Sequence, residues 1–298
     1  MDIVTHAMMG TVIASPWLGS RPVEAACFVF GSVLPDLDAL SRVFGPRAFL
    51  RFHQTYTHSF LLTSLIALAA WPCLSSVTET PGTAAAMLAA GMWFHISLDL
   101  TNTYGITPFA PLSLTRRCTE WVFFIDVWVI GACAAGAFLV ARHWMELDVS
   151  PLIATSLAAF LLGYWIIKAW LYRRAWNLAP LTTQSLIPSG VVPWSFLGCS
   201  EGRPINTFSL NGLTGSVRHR RAVDVLDDQF AASLAALPEF KLMRELSPGY
   251  HVVDAQPRNG TVRCKCRDLR IRNFNTRFGE LEADIHADGT VERVKWHV

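Results

Sequence analysis

Gly31-Ser-Val-Leu-Pro-Asp-Leu-Asp38 and, after a short basic loop, His53-Gln-Thr-Tyr-Thr-His-Ser59 decide how the first half of this chain is read. Both stretches set acids or histidines at the edge of an apolar segment. Buried charge is costly unless it is paired or holds a cation. Two acids and two histidines so placed are the makings of a metal site, and the apolar runs around them become helices that carry further ligands to it.

Working outward, a helix needs roughly 20 apolar residues to cross a bilayer. Runs at about 57–76, 83–101, 121–141 and 151–172 meet or nearly meet that length. Two shorter runs, about 3–18 and 22–35, are joined by a Pro/Gly turn between Ser15 and Pro22 and read as a helical hairpin that spans only where the bilayer thins or its ends are buried. Residues 1–174 hold 20 Asp, Glu, Lys and Arg, whereas the shorter segment 175–298 holds 28, so polarity changes abruptly near Arg173-Arg174. The expected fold is an α-helical membrane bundle of about six transmembrane helices over 1–174, followed by a C-terminal soluble α+β domain over 175–298.

Loop arginines orient the bundle. Arg42, Arg47, Arg51, Arg116, Arg117, Arg173 and Arg174 fall on one side, and only Arg21 and Arg142, the latter in the loop 142–150, on the other. The first side is then cytoplasmic, which makes the chain a multi-pass inner-membrane protein with its C-terminal domain in the cytoplasm. Trp121, Trp128, Trp165, Trp170, Tyr172 and Trp176 read as anchors at the membrane interface. Asp2 and His6 interrupt the layout of a secretory signal, so the first helix is expected to be retained, and lipidation signals are absent.

The antiparallel order of these helices brings eight groups to the cytoplasmic side: His6, Asp36, Asp38, His53, His58, His95, Asp99 and Asp126. His95 and Asp99 stand four apart and project from one face of a helix, a two-ligand clip. Taken singly, each has a plainer reading. His6 can be a bonded core residue, Asp36 a helix end, Thr57 the cap of a helix, and Asp126 a partner of Arg116 or Arg117. Their convergence on one side favours the site. The ligands expected are His6, Asp36, His58, His95 and Asp99, with Asp38 a further ligand or bridge. His53 or Asp126 would be general base or acid, or would orient a ligand. Nitrogen plus carboxylate oxygen suits a divalent metal, Zn²⁺ first, with Mn²⁺ or Fe²⁺ as alternatives.

Past residue 174, the apolar spacing predicts helices at about 223–237 and 238–246, and alternation predicts strands at about 205–211, 250–255, 261–271, 278–285 and 289–297. Asn259-Gly260 and Asp288-Gly289 supply hairpin turns. The segment 178–200 reads as an ordered connector lying against the membrane. A net charge of +2 with no long basic run excludes nucleic acid as the obvious partner, and seven cysteines in no framework spacing fit a reduced compartment.

Thr5-His6 with Gly10, Leu34-Pro-Asp-Leu-Asp38, His53 through Ser59, His95-x-x-x-Asp99 with Thr103-Tyr-Gly105, and Phe124-Ile-Asp126 together resemble the LexA-regulated, membrane-bound, predicted metal-dependent hydrolase family of bacteria. The likeness runs through most of the chain. It implies a metal-dependent hydrolase of the inner membrane, similar to zinc-dependent phospholipase C-like enzymes. Gln54 departs from the family's pattern, in which Arg follows the first His, and Arg51 or Arg47 would have to hold phosphate in its place. The expected substrate is a phosphoester of a membrane lipid or lipid-linked molecule, attacked by a metal-activated water. The competing class is a non-enzymatic transporter or metal-handling protein, which would set polar groups at successive depths. The sequence names no protein partner for the C-terminal domain.

Overall fold

The computed structural model describes residues 1–143, 151–258, 260–270, 277 and 279–297. Most of the expected loop 142–150 and Asn259 of the expected turn lie outside the described residues. The chain forms two units, one of Met1–Val43 and Phe52–Trp170, the other of Phe44–Arg51 and Leu171–Val298.

The first unit is helical: α1 (Ile3–Ala14), α2 (Pro22–Gly31), α4 (Phe60–Leu74), α5 (Pro81–Asp99), α6 (Val127–His143) and most of α7 (Pro151–Leu178). It is not the six-span bundle the hydropathy predicts. Among the described residues one helix, α7, is long and apolar enough to cross a membrane, or two spans if the pair Pro46–His58 and Phe60–Leu74, bent by 72°, is one broken span. Several helices are too short. The 12 residues of α1 and 10 of α2 rise about 18 and 15 Å at ~1.5 Å per residue, against a hydrocarbon core of about 30 Å. In the fifth run, residues 121–126 are not helical at all, and α6 starts only at Val127.

Small residues set how α1, α2 and α5 meet. A Cβ on Gly91 would stand 2.2 Å from the Phe28 carbonyl oxygen, one on Gly31 2.3 Å from that of Leu88, and one on Gly10 2.1 Å from Ser32 Oγ. No side chain fits in those gaps, so the three backbones touch just before α2 runs into the 3-10 segment Leu34–Phe44 and one turn before His95. This contact brings the polar end of α5 beside the Pro35-Asp36 turn.

The second unit holds α3 (Pro46–Phe52) up to Arg51, the last turns of α7, and two antiparallel four-stranded sheets. The first sheet is β1 (Thr183–Pro188), β2 (Ser195–Ser200), β3 (Ile205–Asn211) and β4 (Val217–Val223), in chain order. The expected connector 178–200 is therefore a β-hairpin, whose inward residues Leu186 and Phe196 pack with Phe208, Leu210, Leu171 and Ala175. After α8 (Asp227–Leu234) and α9 (Pro238–Leu246) comes the second sheet, β5 (Tyr250–Arg258), β6 (Thr261–Asp268), β7 (Glu280–His286) and β8 (Val291–His297). Leu234, Phe240 and Met243 cover its inner face together with Leu50 of α3.

Candidate metal centre

His58 ends a one-turn 3-10 segment, Tyr56–His58, while Ser59, not Thr57, caps α4 by accepting from Leu62 N at 3.4 Å. That leaves Thr57 and His58 facing the acids of Leu34–Phe44. Asp36, His58, His95 and Asp99 are all buried, and four of their ligand atoms lie within 4.8 Å of one another. His58 Nε2 is 3.1 Å from His95 Nε2; each nitrogen stands 3.6 Å from Asp36 Oδ1, and they are 3.4 and 3.6 Å from Asp99 Oδ2. Five of the six separations are thus 3.1 to 3.6 Å, and all four atoms lie within 4.8 Å of one another, close enough to surround one ion. A regular tetrahedron of about 3.4 Å edge sets its centre about 2.1 Å from each corner, the length of a Zn–N or Zn–O bond.

Charge points the same way. Asp99 Oδ2 and His6 Nδ1 are buried with no hydrogen-bond partner, a situation native proteins seldom tolerate. Among the described residues, no lysine or arginine pairs with Asp36 or Asp99; their partners are histidines and, at Asp99 Oδ1, the Met1 amino group. The group can hold a metal ion, which would satisfy the orphaned oxygen and balance both carboxylates.

Around the four, the remaining predicted residues take other positions. His95 Nδ1 is 2.8 Å from the Ser32 carbonyl oxygen, which accepts its proton and turns Nε2 inward. His58 Nδ1 is 3.5 Å from Asp38 Oδ2, so the Asp38 carboxylate stands behind a ligand and is not one of the four. Both its oxygens are occupied, Oδ1 by His53 Nδ1 at 2.5 Å and Oδ2 by the Gln54 N–H at 2.9 Å and the Thr57 hydroxyl at 2.5 Å. Burial alone would raise the Asp38 carboxyl, but the hydrogen bonds from His53 and His58 hold it down at about 2. His6 stacks on His95 with ring centroids 3.7 Å apart and places Nε2 3.2 Å from Asp99 Oδ1, on the far side of that carboxylate from the cluster. His53 is the one histidine of the group with solvent access, its side chain 22% exposed against 0% for His58.

Asp126 is placed elsewhere. Its Oδ1 caps α6, accepting from Trp128 N at 3.1 Å and Val129 N at 3.4 Å, while Oδ2 accepts from the Tyr164 hydroxyl at 2.8 Å and lies 4.0 Å from Lys168 Nζ. It pairs with neither Arg116 nor Arg117. Arg116 instead donates to the carbonyls of Gly105 (2.8 Å) and His53 (3.1 Å), which pins the His53 loop. Arg47, an expected phosphate holder, is bound to Glu239 in the second unit. Sequence reasoning missed Ser32 and Lys168. A polar residue beside Gly31 and the lone charge of the run 151–172 were the signals available.

Comparison with known proteins adds a family and one relative. A profile described as YdjM inner membrane protein matches residues 1–181, the part that contains every residue of the cluster. The protein YfhP of Bacillus subtilis (strain 168), itself described as uncharacterized, is 24% identical over 196 residues, 56% of this chain and 54% of YfhP, so the chain spans about half the length of that relative. No solved structure matches. The family description says inner membrane protein and nothing of LexA regulation.

Proposed function

This chain belongs to the YdjM inner membrane protein family, and from that premise we propose that its buried His/Asp tetrad is the centre of a membrane-bound, metal-dependent hydrolase acting on a phosphoester of a lipid or lipid-linked substrate. The observation that carries the reading is the buried cluster of two imidazole nitrogens and two carboxylate oxygens, five of whose six separations are 3.1 to 3.6 Å. Two nitrogens and two oxygens at that spacing favour Zn²⁺ over octahedral ions. An ion held there would supply Lewis acidity and, through a fifth position or in place of one carboxylate, a water of lowered pKa.

The chain's own residues do the rest. Ser32 and Asp38 hold the outer nitrogens of His95 and His58, fixing both rings before any ion arrives. Asp38 also accepts from His53 Nδ1, which leaves Nε2 as the atom that takes or gives a proton at the accessible edge of the site. Arg116 keeps that loop in place through the His53 carbonyl. The phosphoester is supported by the motif resemblance to phospholipase C-like enzymes, and the lipid by membership of an inner-membrane family.

The test is hydrolysis by detergent-purified, Zn²⁺-loaded protein presented with phospholipid vesicles and, separately, with soluble phosphate esters and peptides. Release of a phosphorylated or dephosphorylated head group from the vesicles, abolished in His58→Ala, is expected. Cleavage of soluble esters or peptides with every lipid left intact would sink the lipid reading, and a fully loaded protein that cleaves nothing would sink the hydrolase.

A further inference from the structure

The first sheet leaves its apolar residues in an unusual place. Its inner face is filled by Leu186, Phe196, Phe208 and Leu210 against the last turns of α7. Yet Val191, Val192 and Trp194 in the turn between β1 and β2, and Leu213 in the turn between β3 and β4, are 53%, 37%, 42% and 43% exposed. Single exposed apolar residues are ordinary, but these occupy two adjoining turns at one end of one sheet. The Gly212 N–H donates to the Trp194 carbonyl at 2.7 Å, which ties the two turns together. Ser189 Oγ accepts from the Val191 and Val192 N–H groups at 3.2 Å, so the first turn is built to present those side chains.

The turns also stand at a defined level of α7, the candidate membrane span. Arg174 Nε donates to the Gly212 carbonyl at 3.0 Å and another guanidinium nitrogen to that of Leu213 at 3.1 Å. A Cβ on Gly212 would lie 3.4 Å from the Leu171 carbonyl oxygen, and one on Gly215 3.5 Å from the Leu178 side chain. The turns therefore lie against the last turns of α7, where Arg173 and Arg174 end its apolar stretch. In a spanning helix such a change falls at the level of the head groups, where tryptophan partitions best.

We propose that the two turns, through Val191, Val192, Trp194 and Leu213, dip into the head-group and acyl boundary of the bilayer that α7 enters, making the first sheet a membrane-seated module. The partner is the lipid surface itself, because the two turns are bonded to the end of the one helix long and apolar enough, among the described residues, to cross a membrane on its own, and they present a tryptophan beside aliphatic side chains. The proposal rests on α7 lying in the bilayer and is independent of the hydrolase reading.

The experiment places a benzophenone amino acid at Val192, at Leu213 or, as a control of matching 39% exposure on β8, at Val294. The full chain is reconstituted in nanodiscs of phosphatidylethanolamine and phosphatidylglycerol, irradiated and analysed by mass spectrometry. Lipid adducts at Val192 and Leu213 at least about tenfold above Val294 are expected. Adduct levels no higher than at Val294, or crosslinks to protein in place of lipid, would overturn the proposal. Because all three positions are exposed, the photoprobe leaves the cores intact, and a tryptophan emission spectrum matching the wild type verifies it.

Discussion

Each unit of this protein buries carboxylates, and the two treat them in opposite ways. In the second sheet, Glu280 is met by Lys265 Nζ at 2.8 Å and by Arg267 and Arg277 at 2.6 and 2.7 Å, while Asp284 receives a two-pronged Arg263 at 2.7 and 2.8 Å. Both of these carboxylates have fixed counter-charges on a neighbouring strand or turn. In the helical unit, Asp36 is met by imidazoles and Asp99 by imidazoles and, at Oδ1, the Met1 amino group, while Asp99 Oδ2 has no hydrogen bond at all. Both regions obey the rule that buried charge must be balanced. The sheet does so with its own side chains, whereas the cluster is arranged so that a cation completes it.

The largest expected effect breaks this contrast at the cluster. His58→Ala/Asp99→Ala should carry less than ~0.1 equivalent of zinc where the wild type carries about one, as befits a tetrahedral site that has lost half its ligands. Mass spectrometry of purified protein measures it, and Arg263→Met/Asp284→Leu should leave the metal untouched. Negligible metal in the wild type, even after reconstitution, would make the cluster a purely structural network.

A smaller effect sharpens the role of Asp38. If that carboxylate acts from behind His58, Asp38→Asn should weaken zinc binding by about 10- to 100-fold without abolishing it. Competition with a chromophoric chelator reads the difference, and a loss as complete as that of His58→Ala would make Asp38 a ligand after all. Gly91→Val tests the contact that assembles the site. Forced overpacking against the Phe28 carbonyl should cost roughly 1–3 kcal/mol, seen as a lower melting temperature together with reduced zinc occupancy, while the second sheet keeps its spectroscopic signature.

The smallest effect concerns the sheet's self-sufficiency. Burial would raise the Glu280 carboxyl, but hydrogen bonds from Lys265, Arg277 and Arg267 lower it from 4.5 to about 2. A carboxyl depressed in the folded state stabilises above its unfolded value, and that contribution is lost as pH falls from about 4.5 toward 2. Since the arginine partners are about half exposed, screening reduces it to about 1 kcal/mol. Thermal melts of Glu280→Gln should lose that acid limb, and an unchanged slope between pH 5 and 2.5 would count against the pairing.

The candidate site was more legible than the fold around it. His95 and Asp99 at i, i+4 share a helix face in any context, and acids or histidines at the ends of apolar runs announce themselves by their cost. Four of the eight predicted residues, Asp36, His58, His95 and Asp99, share one point in the structure, and His6, Asp38 and His53 lie around them. Asp126 does not join them, because a carboxylate one residue before a helix is also well placed to cap it, and local N–H groups win when they are nearest. The six spans failed for a related reason: hydropathy counts apolar residues but not where a helix ends. Helix α1 stops at Ala14 and α2 at Gly31, short of the ends of their apolar runs, and the irregular 121–126 segment shortens the fifth.

What the chain alone determined, then, is local: periodicity, i, i+4 clips, and the expense of charge in apolar runs, all set by neighbours within a few residues. What only the tertiary structure decided is which of two chemically equal groups does which job. Asp36 and Asp38 are two residues apart and identical in kind, yet one faces the cluster and the other backs His58. That division depends on how closely Gly10, Gly31 and Gly91 let three backbones approach, a packing distance between segments far apart in sequence, and no local pattern encodes it.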